Sequence, residues 1–64
     1  MTPEILNTVE AASYLGLSKP TLERMRLKGN GPKFAKLNSS VRYRKADLDA
    51  WLESRLVRST SEQV

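Results

Sequence analysis

The stretch "LGLSKPTLERMRLKG", residues 15–29, constrains the fold more than any other part of the chain. Gly16 predicts the end of one helix, because a left-handed terminal residue costs glycine little. Ser18 predicts the N-cap of a second helix, with Pro20 in its first turn, where the missing N–H is not needed. Gly29 predicts the end of that second helix. Two helices joined by so short a turn must cross steeply, which is the helix-turn-helix arrangement.

The segments on either side of this turn predict a first helix, a hairpin and a third helix. The first helix runs from about Val9 to Leu15, with Thr8 as its N-cap and Ala12 on its inward stripe beside Val9 and Leu15. The segment "NGPKFAKLNSSVRYRK" changes to a period of two around turn residues, which is typical of a short hairpin. A third helix resumes at about Lys45. Its predicted buried stripe consists of Leu48, Trp51, Leu52 and Leu56.

Length and composition limit the remaining choices. A chain of 64 residues is expected to form one small domain. It has no cysteine and no histidine, so packing alone must stabilise the fold, and we expect no metal, no cofactor and no catalytic residue. No apolar run approaches the roughly 20 residues that span a bilayer. The N-terminus carries acids where a signal peptide has basic residues, so the expected location is the cytoplasm.

Positive charge is concentrated in the middle of the chain. Between residues 19 and 45 there are nine cationic side chains and one acid, Glu23. The flanks carry two arginines and six acids, so the formal net charge of +4 hides a strongly basic centre. Such segregation is expected of a polyanion-binding face, whereas an ordinary solvated surface intersperses the two signs. The nine cations are Lys19, Arg24, Arg26, Lys28, Lys33, Lys36, Arg42, Arg44 and Lys45.

The second helix has an inner and an outer face. At about 100° per residue, Leu22 and Met25 fall on the inner side. Helix-turn-helix proteins lay the start of their second helix in the major groove of DNA. Arg24 is therefore the candidate to read a base, because its guanidinium fork can bond guanine O6 and N7. A contact with a DNA phosphate, or a salt bridge to a neighbouring acid, is equally open for Arg24. Thr21 can meet a thymine methyl group or a phosphate. The outer side consists of Pro20, Thr21, Arg24 and Lys28.

Other cations are expected to hold the DNA backbone. Lys19, Arg26 and Lys28 are expected to neutralise phosphates, although each can instead be simply solvated. In the hairpin, Arg42 and Arg44 alternate with core-facing residues, so they share an outward face that can reach a minor groove or its phosphates. The aromatic side chains lie on apolar stripes, which favours core packing over base stacking. They are Tyr14, Phe34, Tyr43 and Trp51.

Two longer segments, "TVEAASYLGLSKPTLERMRLKG" and "GPKFAKLNSSVRYRKADLDAWLESR", match the pattern of a known family. They resemble the small winged-helix excisionase family, a branch of the superfamily that includes the mercury-resistance (MerR) type regulators. The resemblance covers residues from about 6 to 56. Its most specific pieces are "AASYLGLS" to "TLERM", the "GPKF" entry and "VRYRKADLDAWL". The chain departs from the family at Met25, where an aromatic is frequent, and at a neutral hairpin tip where many members are basic.

The resemblance implies a mainly α winged helix-turn-helix with three helices and a two-stranded wing between the second and third. Residues 1–56 would form the domain and residues 57–64 a flexible tail. Helix two would lie in the major groove of double-stranded DNA and the wing near the minor groove. The neutral tip can still donate hydrogen bonds to phosphates. The predicted DNA-binding set is Ser18, Lys19, Pro20, Thr21, Arg24, Arg26, Lys28, Lys36, Asn38, Ser39, Ser40, Arg42 and Arg44.

Four functional classes can be compared. The leading hypothesis is an excisionase, which bends attachment-site DNA, often as several protomers, and directs a phage integrase toward excision. The alternative is a small prophage or mobile-element transcriptional regulator that uses the same face. A protein-interaction module with an acidic partner is a third hypothesis. An enzyme is disfavoured, since Asp47 and Asp49 are two apart on a helix and do not face each other. Integrase or neighbouring-protomer contacts are expected at Arg55, Val57 and Arg58.

Overall fold

The computed structural model describes residues 4–57, which form three helices and three short strands. In chain order the elements are β1 (Ile5–Leu6), α1 (Thr8–Leu15), α2 (Lys19–Lys28), β2 (Ala35–Leu37), β3 (Ser40–Arg44) and α3 (Lys45–Ser54). This confirms the predicted fold class, a mainly α winged helix-turn-helix with its wing between α2 and α3. No helix in the described part of the chain is long and apolar enough to cross a membrane. Of the tail predicted over residues 57–64, residues 58–64, including Arg58, lie outside the described residues.

The first helix is capped by a different residue from the one predicted. Asn7 is the N-cap, because its Oδ1 accepts a hydrogen bond from the Glu10 N–H at 2.8 Å. The Asn7 N–H in turn donates to Glu10 Oε1 at 2.9 Å, which completes a capping box. This reciprocal pair satisfies two N–H groups that would otherwise lack a partner. The prediction of Thr8 as cap is therefore wrong, since Thr8 is already inside the helix.

The turn between α1 and α2 has the predicted chemistry. Gly16 has a φ of 73°, and its N–H donates to the Ser13 carbonyl at 3.1 Å. The side chain of Ser18 caps α2 by accepting a hydrogen bond from the Thr21 N–H at 3.3 Å. Gly29 ends α2 with a φ of 76°, the second left-handed glycine in the fold. Because so few residues separate α1 from α2, the second helix cannot return antiparallel to the first.

The sheet has three antiparallel strands in the order β1-β3-β2. The β2–β3 pair is the predicted hairpin, in which Lys36 lies opposite Val41. The sequence analysis did not predict β1, a two-residue strand in which Leu6 pairs with Tyr43. Both members of that pair are buried, so β1 fixes the base of the wing to the centre of the fold. The wing is therefore an extension of the core sheet.

The core lies between the helices and the inner face of this sheet. Leu22 from α2 and Leu48 from α3 are fully buried, as predicted. In α1, the side chain of Val9 is 57% exposed, so its predicted inward position is wrong. The core uses Ala11 beside Ala12 instead, since small side chains allow α1 to approach its neighbours closely. Among the described residues, the buried hydrophobic core cluster consists of Leu6, Ala11, Ala12, Leu22, Tyr43 and Leu48.

Two other predicted core residues lie at the edge of the fold. Leu56 is 69% exposed because α3 ends at Ser54, beyond which the helical period no longer applies. Phe34 is 43% exposed because it precedes β2 and contacts the core from one side only. Its ring centroid lies 6.1 Å from that of the buried Tyr43. The predicted burial of Leu56 is therefore wrong, whereas Phe34, predicted to pack in the core, contacts it only from its edge.

The third helix fixes the surrounding elements through polar contacts. Tyr14 at the end of α1 donates a hydrogen bond to the Asp49 carboxylate. At the other end of α3, Arg55 donates to the Asn30 carbonyl at 2.9 Å. The guanidinium carbon of Arg55 also lies 5.3 Å from the ring centroid of the half-buried Trp51. These contacts hold the loop after α2 against α3 and so fix where the wing begins.

Candidate nucleic-acid interface

The outer face of α2 carries four exposed side chains in a row, Pro20, Arg24, Leu27 and Lys28, which we call the outer stripe. The first three follow one another at i, i+4 and i+7, which places them on one side of the helix. The opposite side carries the fully buried Leu22. A helix about 10–12 Å in diameter fits the major groove of B-DNA, which is about 12 Å wide. The outer stripe therefore has the geometry of a helix face that can enter that groove.

Arg24 lies at the middle of the outer stripe. Within residues 4–57 no carboxylate forms a salt bridge with its guanidinium group. The single acid of α2, Glu23, pairs with Lys19 instead, at 3.7 Å between Nζ and Oε2. Among the described residues, the salt bridge considered as one alternative for Arg24 is therefore not formed. Its donors are available for a base edge or a phosphate.

Lys28 lies in the last turn of α2 and is exposed. A cation in that turn interacts favourably with the negative end of the helix dipole. Lys28 thus has a structural role in the free protein as well as a place on the outer stripe. A flexible ammonium group at this position is suited to a phosphate rather than to a base edge.

The start of α2 brings together the remaining predicted residues of this helix. The hydroxyl oxygens of Ser18 and Thr21 lie 2.7 Å apart, and the Ser18 oxygen also accepts the capping bond from the Thr21 N–H. Lys19 and Pro20 between them are exposed. The capping bonds hold the first turn in shape, so these four residues form one compact surface at the end of the outer stripe.

Arg26 lies on the other side of α2, although the sequence analysis assigned it to phosphate. Its Nη1 donates to the Tyr43 hydroxyl at 3.0 Å and to Thr8 Oγ1 at 3.5 Å. The guanidinium carbon also lies 5.8 Å from the ring centroid of Phe34. The Arg26 side chain therefore joins α2 to α1 and to the sheet, and a phosphate contact would require these bonds to break.

The wing carries its cations on two different faces. Side chains that are opposite in an antiparallel pair share a face. Lys36 lies opposite Val41, so it shares the face of the buried Tyr43, whereas Arg42 lies opposite Ala35 on the outer face. The tip is the two-residue turn between β2 and β3, and its first residue has a φ of 60°. The neutral predicted tip residues Asn38, Ser39 and Ser40 are all exposed there.

The two wing arginines are already hydrogen-bonded within the protein. Arg42 Nη1 donates to the Val41 carbonyl at 2.8 Å. Arg44 makes a two-pronged contact with Asp47, at 2.7 Å from Nε and 2.9 Å from Nη2. These hydrogen bonds hold the pKa of the Asp47 carboxyl below its ordinary value and raise the pKa of Arg44. The outward face predicted for Arg42 and Arg44 exists, but both side chains have partners on it.

One member of the outer stripe, Leu27, is not among the residues predicted to bind DNA. Leu27 was not assigned to either face, yet it is 86% exposed. The signal was its spacing, because a residue three after Arg24 must lie on the same side of the helix.

The residues proposed for protein partners lie elsewhere, just after α3, where Arg55 and Val57 are both exposed.

A helix-turn-helix whose second helix, α2, is buried on its inner side and exposed on its outer side, followed by a β-hairpin, defines the class of winged helix-turn-helix proteins. The chain belongs to a helix-turn-helix domain family, whose model matches residues 5–56. It therefore contains a DNA-binding helix-turn-helix domain. A comparison with curated proteins finds no match.

Proposed function

We propose that this protein is a sequence-specific, double-stranded-DNA-binding architectural protein. In this proposal it is an excisionase that bends attachment-site DNA and directs a phage integrase toward excision, in the cytoplasm of a bacterial or phage-infected cell. The observation that carries the proposal is the outer stripe of α2, which is exposed and has at its centre an arginine without an internal salt bridge in the described chain.

The outer stripe supports reading of base sequence. The first turn of α2 is capped and rigid, and it presents Lys19 and Pro20 to solvent. Helix-turn-helix proteins place this part of the second helix against base edges. Arg24, one turn further on, can then make two hydrogen bonds to guanine, and Lys28 can neutralise a phosphate at the rim of the groove.

The wing supports a second contact along the DNA. Its exposed tip can donate hydrogen bonds to phosphates. Lys36 adds a positive charge on the face of the hairpin that also carries the buried Tyr43. Arg42 and Arg44 add charge on the other face, although each would exchange an internal partner for a phosphate. One small module of this kind contacts only about 600–1,000 Å² of surface, so firm occupancy needs neighbouring protomers or an integrase.

The excisionase role, as distinct from DNA binding, is supported by the resemblance of residues 6–56 to the winged-helix excisionases. The need for cooperation between small modules agrees with that role, because several protomers side by side can impose a large bend. The exposed end of α3, with Arg55 and Val57, is available for a neighbour or an integrase while α2 and the wing hold DNA.

The test is a gel-shift titration on DNA that flanks the protein's own gene, with circularly permuted probes to report bending. A ladder of cooperative complexes with a large bend is expected, and random unlabelled DNA should compete poorly. A single unbent complex at a promoter would favour the transcriptional regulator instead. Weak binding that random DNA competes equally would contradict sequence-specific recognition and favour a protein-interaction module.

A matched pair of variants connects this assay to the outer stripe. Arg24→Ala should lose site preference, whereas Lys33→Ala removes one positive charge from the loop between α2 and β2, outside the predicted DNA-binding set, and should keep it. Both variants are expected to remain folded, since both side chains are exposed. Equal loss in the two would mean that only net charge matters.

A further inference from the structure

The geometry of the outer stripe points to Leu27 as a residue that determines specificity: we infer that it contacts the C5-methyl group of a thymine in the major groove. This inference rests on the proposed function, since it requires the outer stripe of α2 to lie in that groove. It adds an apolar, thymine-selecting contact to the polar contacts of Arg24.

Leu27 is a highly exposed apolar side chain on the outer face of α2. At 86% exposure it is the most exposed large hydrophobic residue of the described chain. A single exposed leucine on a protein surface needs no explanation by itself. Leu27, however, lies between Arg24 and Lys28 on the face of α2 that points away from the core. When that face meets DNA, the leucine must be desolvated against whatever the groove presents.

The major groove offers one apolar group, the methyl of thymine. Against that methyl, the leucine side chain exchanges water for a hydrophobic contact. Against a G·C pair, the same side chain would cover O6, N7 or N4 without offering a hydrogen bond, and an unpaired polar group costs free energy. Leu27 therefore selects a thymine both by attraction to its methyl group and by rejection of polar edges.

The spacing on α2 places this thymine relative to the base that Arg24 reads. The two residues are three positions apart, which is about 4.5 Å along the helix axis. Successive base pairs are separated by about 3.4 Å. The thymine should therefore lie within about one or two base pairs of the guanine that Arg24 contacts. A thymine far from that guanine cannot be the one that Leu27 meets.

The experiment begins with selection of binding sites from a random double-stranded DNA library by the full chain. In the selected site, each thymine near the Arg24-dependent guanine is replaced by deoxyuridine, which removes only the methyl group. The parent protein should bind one such site about fourfold more weakly, the equivalent of one buried methyl group. Leu27→Ala should bind the thymine and deoxyuridine sites equally. Val9→Ala, a change at an apolar residue of α1 that is 57% exposed and outside the predicted DNA-binding set, should behave as the parent does.

Three results would overturn the inference. If Leu27→Ala kept the full deoxyuridine penalty, another side chain such as Thr21 would contact the methyl. If no deoxyuridine weakened the parent, no thymine methyl would be read. If Leu27→Ala changed only the cooperativity of successive complexes, Leu27 would contact a neighbouring protomer. Failure of the parent to select any site would instead contradict the proposed function itself.

Discussion

Arg24 of α2 and the two arginines of the wing differ in what they already bind. On α2, Arg24 is exposed, and among the described residues it has no acidic partner. In the wing, Arg42 donates to a backbone carbonyl and Arg44 is held by Asp47. A free guanidinium group reaches DNA without losing an internal bond, whereas a bound one must first exchange its partner. A DNA contact of equal geometry should therefore contribute more from Arg24 than from Arg42 or Arg44.

The same contrast occurs within α2, between two arginines only two residues apart. Arg24 lies on the outer stripe, while Arg26 bonds the hydroxyl of the buried Tyr43 and approaches Phe34. Arg24 is thus available for a ligand, whereas Arg26 holds α2 against α1 and the sheet. The number of charges nearby does not tell the two arginines apart. What tells them apart is the side of α2 on which each one lies.

The largest expected effect on DNA binding comes from Arg24→Ala. Loss of a two-pronged guanine contact should weaken the specific complex by about 1–3 kcal/mol and relax the preference at one base pair. The unfolding free energy should stay within about 0.5 kcal/mol of the parent, because the side chain is exposed. Fluorescence anisotropy on the specific site and on single-base variants measures the first effect, and urea unfolding the second. An unchanged base preference would mean that Arg24 binds only phosphate.

The complementary change, Arg26→Ala, should affect stability and leave base preference intact. It removes the donor to the buried Tyr43 hydroxyl, and an unsatisfied buried polar group costs about 1–3 kcal/mol. Urea unfolding measures this loss. Adding Tyr43→Phe to Arg26→Ala should recover part of it, since both partners of the bond are then absent. If Arg26→Ala relaxed base preference as Arg24→Ala does, the inward role of Arg26 would be contradicted.

Lys28→Ala should have a smaller and less specific effect. Loss of one phosphate contact should reduce the salt slope of binding by about one unit, which corresponds to roughly fivefold in affinity near 0.15 M salt. All sequences should be affected alike, because the ammonium group does not read a base. Salt titrations of specific and random DNA measure the slope. A loss confined to the specific site would contradict a phosphate contact.

The features predictable from the sequence are those set by neighbouring residues. Gly16 and Ser18 encode the helix turn through their own backbone and side-chain preferences, and the structure has both caps. The capping box of α1 was also readable, because Asn7 and Glu10 have the required spacing of three. The choice of Thr8 as cap overlooked that pair.

The features that could not be predicted depend on distant parts of the chain. β1 has only two residues and exists because its partner β3 lies across the core. Arg26 is four residues from the buried Leu22, so the sequence alone could have predicted that it lies on the inner side of α2. Its partner was not, because the Tyr43 hydroxyl reaches it from β3. Lys36 and Arg42 were separated onto two faces only when the strand register was known.

The smallest expected effect comes from Asp47→Asn, which tests whether the Arg44–Asp47 pair keeps Arg44 from binding DNA. The change removes a negative charge and the two-pronged partner of Arg44, so the freed arginine should gain a phosphate contact. Affinity for DNA should rise slightly and the salt slope should steepen by up to about one unit. Salt titrations compare this variant with Glu53→Gln, which changes net charge equally without releasing Arg44. Equal slopes in the two would mean that Arg44 does not reach DNA.

The pH dependence of the parent gives an independent measure of the same pair. Because Arg44 holds the pKa of Asp47 below its ordinary value, the folded state binds this proton less readily than the unfolded state. The stability from the pair is therefore fully present above the unfolded pKa of about 3.9 and is lost as pH falls through the lower folded pKa. Thermal unfolding from pH 7 to pH 3 should show a decline in the parent, below about pH 4, that Asp47→Asn reduces. An identical decline in both proteins would mean that the Arg44–Asp47 pair does not stabilise the fold, and Arg44 would then be as free to bind DNA as Arg24.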